Sequence, residues 1–337
     1  MANYGPISYQ IDLDAKGKQL SALTLDHSDD ANAYTALSIP IAIIANGEGP
    51  TVLLVAGNHG NEYEGQVALR EFVRQADVSD ISGRIIVIPS LNMPAVRADV
   101  RVSPLDGVNL NRVFPGSSDA GPTAAIAGFV NDIVLPVCDA GVDIHTGGAE
   151  ASLIPLAYVC RGGDDAVFAA SVELAEAFAT PWIYSEAGVT GGIDPEARRH
   201  RVAFFCTELG GGARLGAETT EIARCGVRNM LRYLGVLSGE VESKAATRCR
   251  YVTDAHARQL ISPASGFLEL LCELGETVSA GQDVAIVHPL ENAFAEPSLL
   301  TAPDDGVVMT VRTTARVSQG DIVLDTAQEV GRAALFA

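Results

Sequence analysis

Residues 7–47 alternate polar and apolar positions with turn residues between them, which predicts antiparallel strands, and Asn46-Gly47-Glu48-Gly49-Pro50 closes the stretch with a turn. The pattern then changes. Residues 51–57 (TVLLVAG) form an unbroken, β-branched apolar run, which predicts a strand of the buried type, and it ends in the polar loop 58–62. Apolar residues at Val67, Leu69, Phe72 and Val73 predict a helix over 63–75. Residues 84–90 (RIIVIPS) predict a second buried strand. A third starts at 142–144, and 156–160 and 202–207 predict two more. Helical spacing lies between and after them, over 124–134, 166–178 and 218–234. Strands that alternate with helices predict an α/β layer architecture: a mixed, largely parallel sheet flanked by helices.

Residues 238–247 (SGEVESKAAT) are polar and predict a linker, dividing the chain into a larger unit over 1–240, β-rich at its start, and a small all-β unit over 248–337. The second unit reads as short strands and turns. Its segments 275–287 and 314–324 form a weak repeat: a polar residue, Val, a spacer, Gly, an acid further on and an apolar pair.

Composition narrows the classes of partner. Lys and Arg number 23 against 42 Asp and Glu, a net charge of −19. Such a surface repels phosphate backbones and anionic membranes, so neither nucleic acid nor membrane is an expected partner. Cys138, Cys160, Cys206, Cys225, Cys249 and Cys272 are scattered with no C-x-x-C pair and read as small buried hydrophobes of a reducing compartment. The opening residues show no basic segment followed by an apolar one, and no apolar stretch approaches ~20 residues. The expectation is a soluble cytoplasmic protein, with homo-oligomerisation left open.

Candidate chemistry begins at His59-Gly-Asn-Glu62. With 6 His in the chain, chance supplies roughly 0.4 H-x-x-E matches, so the motif alone is weak. Its position strengthens it, because ligands of open α/β sheets gather at the carboxyl ends of strands. His145, in Asp143-Ile-His145-Thr-Gly-Gly, repeats that placement. One histidine at a strand end is more often a satisfied core residue; two, with an acid and each flanked by Gly, reverse the odds. Catalytic zinc sites take three protein ligands and leave a position for water, and His59, Glu62 and His145 supply a recurring set, with Asp143 placed to orient a ligand. Glu208, in Thr207-Glu208-Leu-Gly-Gly-Gly at the end of an apolar strand, is the candidate general base, although a turn acid is the commoner reading of such a residue. Asn111 and Arg112 form a donor array suited to a carboxylate, and an Arg such as Arg101 near the metal could polarise a carbonyl, in a stretch that otherwise reads as a solvated loop.

Taken in order, H-x-x-E after a strand, N-R-x-F-x-G, D-x-H and T-E-L-G-G-G resemble the succinylglutamate desuccinylase/aspartoacylase family over roughly residues 40–240. The resemblance implies a zinc carboxypeptidase-like fold and one Zn²⁺ per chain on His59, Glu62 and His145. It also implies Glu208 as general acid/base and Asn111 and Arg112 as binders of the substrate carboxylate. Arg101 corresponds to the carbonyl-polarising Arg, with its interval to Asn111 lengthened by residues 103–107. Within the family, AGNHGNEYEGQVAL, SLNMPAVRADVRVSPLDGVNLNRVFPG and FFCTELGGG are most similar to the branch that deacetylates N-acetyl-2,4-diaminobutyrate in ectoine breakdown. The implied partner is thus a small N-acyl amino acid. Other N-acyl amino acid deacylases, a zinc carboxypeptidase and a non-catalytic binding protein on the same fold are the alternatives.

A cationic side chain would need an acidic lining, for which Glu186, Asp194 and Glu196 in the Gly-rich loop 184–201 are the candidates. The C-terminal unit resembles biotinyl/lipoyl-type barrels. Lys occurs only at Lys16, Lys18 and Lys244, so the hairpin tip 288–296 has nothing to modify and carrier function is excluded. A lid or an oligomerisation module is what remains.

Overall fold

The structure, a computed structural model, describes residues 1–28, 33–188, 190–242 and 249–337. The predicted linker 238–247 lies partly outside the described residues. The chain opens with an antiparallel ribbon of β1 (Ala2–Tyr4), β2 (Ile7–Tyr9), β3 (Gly17–His27) and β4 (Thr35–Asn46). There follow β5 (Thr51–Ala56), α1 (Glu64–Gln75), β6 (Gly83–Ile88), α2 (Met93–Ala98) and α3 (Pro122–Phe129). Next come β7 (Ala140–His145), β8 (Ala151–Arg161), α4 (Asp165–Phe178), β9 (Trp182–Ala187), α5 (Ile193–Arg199), β10 (Ala203–Gly211) and α6 (Ala217–Tyr233).

The sheet is mixed, as the pattern predicts, but parallel pairing is confined to two groups of strands. One is β6-β5-β7-β10. The other is β8 with β9, to which β11 (Arg250–Thr253) adds a further parallel strand. Elsewhere the ladders are antiparallel, so "largely parallel" holds for the centre and not for the sheet as a whole. The residues explain the difference. Every residue of β5 is buried: Val52, Leu54 and Ala56 enter one apolar layer with α1, α4 and α6, while Leu53 and Val55 enter the other with α3. A strand with no polar face is stable only where helices cover both sides, at about 1.5–3 kcal/mol per buried Val or Leu. β3 alternates and sits in the outer ribbon instead. The stretch 184–201 is the second correction. It is not a Gly-rich loop throughout, since it contains the end of β9 and the helix α5.

After β11 the chain forms β12 (Ala257–Ile261), β13 (Gly266–Leu270), β14 (Thr277–Val278), β15 (Asp283–Pro289), β16 (Ser298–Thr301), β17 (Gly306–Arg312), β18 (Arg316–Val317) and β19 (Ile322–Ala327). A separate four-stranded sheet, β16-β15-β13-β18, encloses an apolar core of its own with β14, β17, β19 and β12. The weak repeat is a structural one. Gln282 N–H donates to the Ser279 carbonyl (2.9 Å) and Asp321 N–H to the Ser318 carbonyl (3.1 Å), while the side chains of Gln282 and Asp321 each accept from the serine N–H. The barrel is nonetheless continuous with the main sheet, because Thr310–Arg312 of β17 pair with Ala151–Leu153 of β8. No helix among the described residues is long and apolar enough to cross a membrane.

Helix α1 lies close against the ends of β5 and β7 because Gly65 has no side chain: a Cβ there would meet Ile144 Cβ at 2.6 Å and Ala56 Cβ at 2.9 Å. Both neighbours are buried and cannot yield. Gly65→Ala is therefore expected to lower stability by about 1–3 kcal/mol in denaturant unfolding, and a variant as stable as the parent would contradict this packing.

Candidate active site

Three neighbouring strand ends build the site. The parallel register sets Ala56 beside Ile144 and Glu208 beside His145, so the loop after β5, the end of β7 and the end of β10 meet at one place. The loop 58–62 is held from several sides. Gly60 N–H donates to the Val100 carbonyl (2.9 Å), and the Gln66 amide donates to the carbonyls of Gly60 (3.2 Å) and Glu62 (2.8 Å). Only glycine fits at position 60, since a Cβ would come within 2.1 Å of the Ala95 carbonyl.

The loop presents His59 and Glu62 to His145. His59 Nδ1 lies 2.8 Å from Glu62 Oε1 and His145 Nδ1 lies 2.9 Å from Glu62 Oε2, with all three residues 2–3% exposed. The far ring nitrogens are occupied: His59 Nε2 is 3.1 Å from Asn109 Oδ1, and His145 Nε2 is 2.8 Å from Asp143 Oδ2. Asn109 Oδ1 also accepts from Asn111 N–H (3.0 Å), and Asp143 Oδ2 accepts from the Asn58 amide (2.9 Å). Both acceptors are thereby oriented, and each Nε2 is the protonated nitrogen of its ring.

That assignment decides what the three residues can hold. With Nε2 protonated, a hydrogen bond from each Nδ1 to Glu62 needs two adjacent imidazolium ions, whose ring centroids are 5.1 Å apart. Burial works against that, pulling the His59 pKa below its ordinary value even though Glu62 opposes the shift. On His145 burial acts the same way but is outweighed by Asp143 and Glu62, so its pKa lies well above 6.5. One Nδ1 therefore faces a carboxylate oxygen lone pair to lone pair, unless a cation stands between them. Two nitrogens and a carboxylate, all within 4.8 Å of one another, form a donor set that fits a divalent ion such as zinc. Arg101 also reaches Glu62 Oε1 (3.3 Å) and Thr146 N–H reaches Oε2 (3.1 Å), and the two imidazoles outweigh burial to hold the Glu62 carboxyl well below its usual range.

Glu208 stands over the trio. Among the described residues its Oε2 is buried with no hydrogen-bond partner, and burial followed by the Glu62 charge pushes its pKa up to about 8. It lines a cavity of about 200 Å³ together with His59, His145, Arg101, Asn111 and Arg112. The lengthened interval before Asn111 does not displace Arg101. Ser103 N–H donates to the Val108 carbonyl (3.1 Å) and Gly107 N–H to the Ser103 carbonyl (2.9 Å), so the extra residues close on themselves, with Arg101 reaching Glu62 and Asn109 reaching His59 on either side. Asn111 Oδ1 accepts from Ile193 N–H (3.3 Å), which turns its amide nitrogen free for a ligand.

Every residue the sequence singled out as metal ligand, base or carboxylate binder thus lies in one place. Of the three acids proposed for a cationic substrate, Glu186 and Asp194 line the cavity, whereas Glu196 is tied to Arg199 (2.6 Å). Tyr158, Asn58 and the orienting role of Asn109 escaped sequence reasoning. Asn58 and Asn109 flank the motifs and could have been found there, but Tyr158, in the apolar strand β8, carries no local signal. Among the described residues, none of those that line the cavity comes from the barrel.

Comparison with known proteins agrees with this geometry. Residues 48–234 match the Succinylglutamate desuccinylase/Aspartoacylase catalytic domain. The chain is 35% identical over 327 residues to the N-alpha-acetyl-L-2,4-diaminobutyric acid deacetylase of Halomonas elongata, covering 96% of each chain. Among solved structures it is similar to a succinylglutamate desuccinylase from a Silicibacter species (TM-score 0.92, 34% identity, 98% of this chain and 100% of that one). It is also similar to the product-bound ectoine utilization protein EutE (DoeB) from Ruegeria pomeroyi (TM-score 0.91, 35% identity, 98% and 100%).

A metal ion must displace the proton of His145, whose pKa is raised, so metal affinity should increase with pH through and above neutrality. Calorimetric titration of chelator-treated protein with Zn²⁺ at two pH values should show about one site per chain, proton release, and tighter binding at the higher pH. Binding with no pH dependence would contradict this proton assignment. His145→Ala should remove most of the binding.

Proposed function

We propose, for a chain that belongs to the succinylglutamate desuccinylase/aspartoacylase family, the hydrolysis of N-acetyl-L-2,4-diaminobutyrate to acetate and 2,4-diaminobutyrate, with zinc held by His59, Glu62 and His145. The observation that carries this reading is Glu208, whose buried Oε2 has no hydrogen-bond partner among the described residues, lining a cavity sized for one small molecule together with His59 and His145 of the set that could hold a metal. The similarity to a diaminobutyric acid deacetylase over nearly the whole chain supports the choice of substrate.

The roles follow from position. His59, Glu62 and His145 would hold the divalent ion, which when bound would supply polarisation of the acyl carbonyl and a lowered pKa of water. Asn111 and Arg112, which line the cavity, grip the substrate carboxylate, and a planar guanidinium beside an amide donor suits its two oxygens. Arg101, with its side chain 46% exposed, donates to the acyl oxygen as negative charge develops there. Glu208 takes a proton from the attacking water and returns it to the amide nitrogen, so that the C–O bond forms, the C–N bond breaks and the amine leaves neutral. The Asn109 and Asp143 acceptors keep both imidazoles in the tautomer whose Nδ1 lone pair is free.

Glu208→Gln should lower kcat by about 10²- to 10⁴-fold while leaving metal content near that of the parent. Full activity in that variant would discard the proton-transfer role. Arg112→Ala should act mainly on KM for N-acetylated amino acids, and it should matter far less for acetylated amines that lack a carboxylate. Chelator-sensitive release of amine from N-acetyl-2,4-diaminobutyrate, with little from N-acetylaspartate or N-succinylglutamate, is the expected pattern. Release only from a short peptide would keep the metal site and overturn the deacetylase reading.

A further inference from the structure

Asp194 is a carboxylate that the reaction as described leaves without a task. It is 6% exposed and lines the cavity. Its Oδ2 accepts from Cys160 N–H (3.3 Å), but among the described residues its Oδ1 has no hydrogen-bond partner. The nearest cation stands back: Arg198 Nε is 4.0 Å from Oδ1, and the rest of that guanidinium donates to the carbonyls of Cys160 and Gly162 and to Cys160 Sγ. Burial pushes the Asp194 pKa up to about 7, with Arg198 opposing the shift only in part. A buried carboxylate with one unpartnered oxygen, on a residue that lines a cavity, is stabilised by a ligand that brings a charge and a donor with it.

The surroundings favour a cation. Glu186 lines the same cavity from β9, half-buried, with Asp254 adding to its negative field and Arg112 the positive group that reaches it. The charges of Glu208, Glu186 and Asp325, the last from β19, bear on Tyr158, whose hydroxyl pKa is raised well above 10, burial being the first cause. The basic groups Arg101 and Arg112 and the amide of Asn111 line the same cavity. Asn111 is bonded to the backbone of Ile193, the residue next to Asp194, so a donor for a carboxylate and an acceptor for an amine come from adjacent positions. A neutral side chain would leave the Asp194 oxygen unpaired, and an acidic one would be repelled.

We propose that Asp194, assisted by Glu186, anchors a protonated amine on the substrate side chain, and that this pair selects N-acyl diamino acids over neutral and acidic N-acyl amino acids. The inference rests on the deacylase reading above and names the residues that make its substrate choice. An ammonium group carries three donors on one centre, enough to satisfy both carboxylates together.

The test compares N-acetyl-2,4-diaminobutyrate with N-acetyl-2-aminobutyrate, which has no side-chain amine, in the metal-loaded parent, Asp194→Asn and Glu186→Gln. The parent should favour the diamino substrate in kcat/KM, and Asp194→Asn should shrink that ratio by about 10- to 100-fold. Glu186→Gln should shrink it less. A purely structural role for Asp194 would lower both substrates in parallel and leave the ratio intact, which would overturn the proposal, as would a parent with no preference. Calorimetric binding of 2,4-diaminobutyrate against 2-aminobutyrate gives the same ratio without catalysis. If neither acetylated compound is cleaved, the deacylase reading fails and the binding ratio still decides the role of Asp194. Should Asp194→Asn not fold, an unchanged ratio in Glu186→Gln counts against the pair and a reduced one supports it.

Discussion

A single carboxylate, Glu62, organises this molecule. Both of its oxygens face imidazole nitrogens, a backbone N–H and a guanidinium complete its surroundings, and it is 2% exposed. An ionised carboxylate taken out of water carries a penalty of several kcal/mol unless it is paired with good geometry. Everything near it serves that pairing. Glu62 comes from the loop that leads into α1, His145 ends β7, and Arg101 follows α2. If these three elements do not dock, the charge is stranded. The cluster that can hold a metal is therefore also a demand on the fold.

The parallel strands meet that demand through register. β5, β7 and β10 run side by side in one direction, so their carboxyl ends face the same rim, and the charged residues of β7 and β10, Asp143, His145 and Glu208, fall in the carboxyl-terminal halves of their strands. Glu208 and His145 are register partners across β7 and β10, and the ladder from β10 to β8 slips between Glu208 and Gly210. Glu208 thus stands where the ladder slips, with one oxygen unpartnered among the described residues. The segment 103–107, bonded to itself, shows the complementary point: residues can be added between Arg101 and Asn109 without moving either, because a loop that satisfies its own backbone asks nothing of the site.

The barrel supports the site from behind. β17 extends the main sheet at β8, and Thr313 donates to the carbonyls of Ala149 (2.5 Å) and Glu150 (2.9 Å), in the turn that follows His145. That turn carries Thr146, whose N–H bonds Glu62. The C-terminal unit is thereby linked to the His59, Glu62 and His145 cluster through a short chain of contacts. Among the described residues it contributes none of those that line the cavity.

Much of this was legible in the chain alone, for physical reasons that can be named. Buried strands announce themselves because a strand covered on both faces has no polar positions to spare, and β5, β6 and β10 stand out in that way. His59, Glu62, Asp143 and His145 were legible because their types and their place after such runs suit a metal set. The duplicated turns at 279–282 and 318–321 were legible because the same local hydrogen bonds need the same residues. What stayed hidden depends on juxtaposition. Loop 184–201 conceals α5, since three turn-forming glycines precede it and its apolar contacts are with residues far along the chain. Asn109 reads as a loop residue until His59 is beside it, and Glu196 and Asp194 are indistinguishable until one meets Arg199 and the other a cavity. The sequence by itself determined which segments must be buried and which residue types can do the chemistry, because periodicity and functional groups are local properties. Only the tertiary structure decided which acids are paired and which are left open, because pairing is set by distance between strands and loops that lie far apart along the chain.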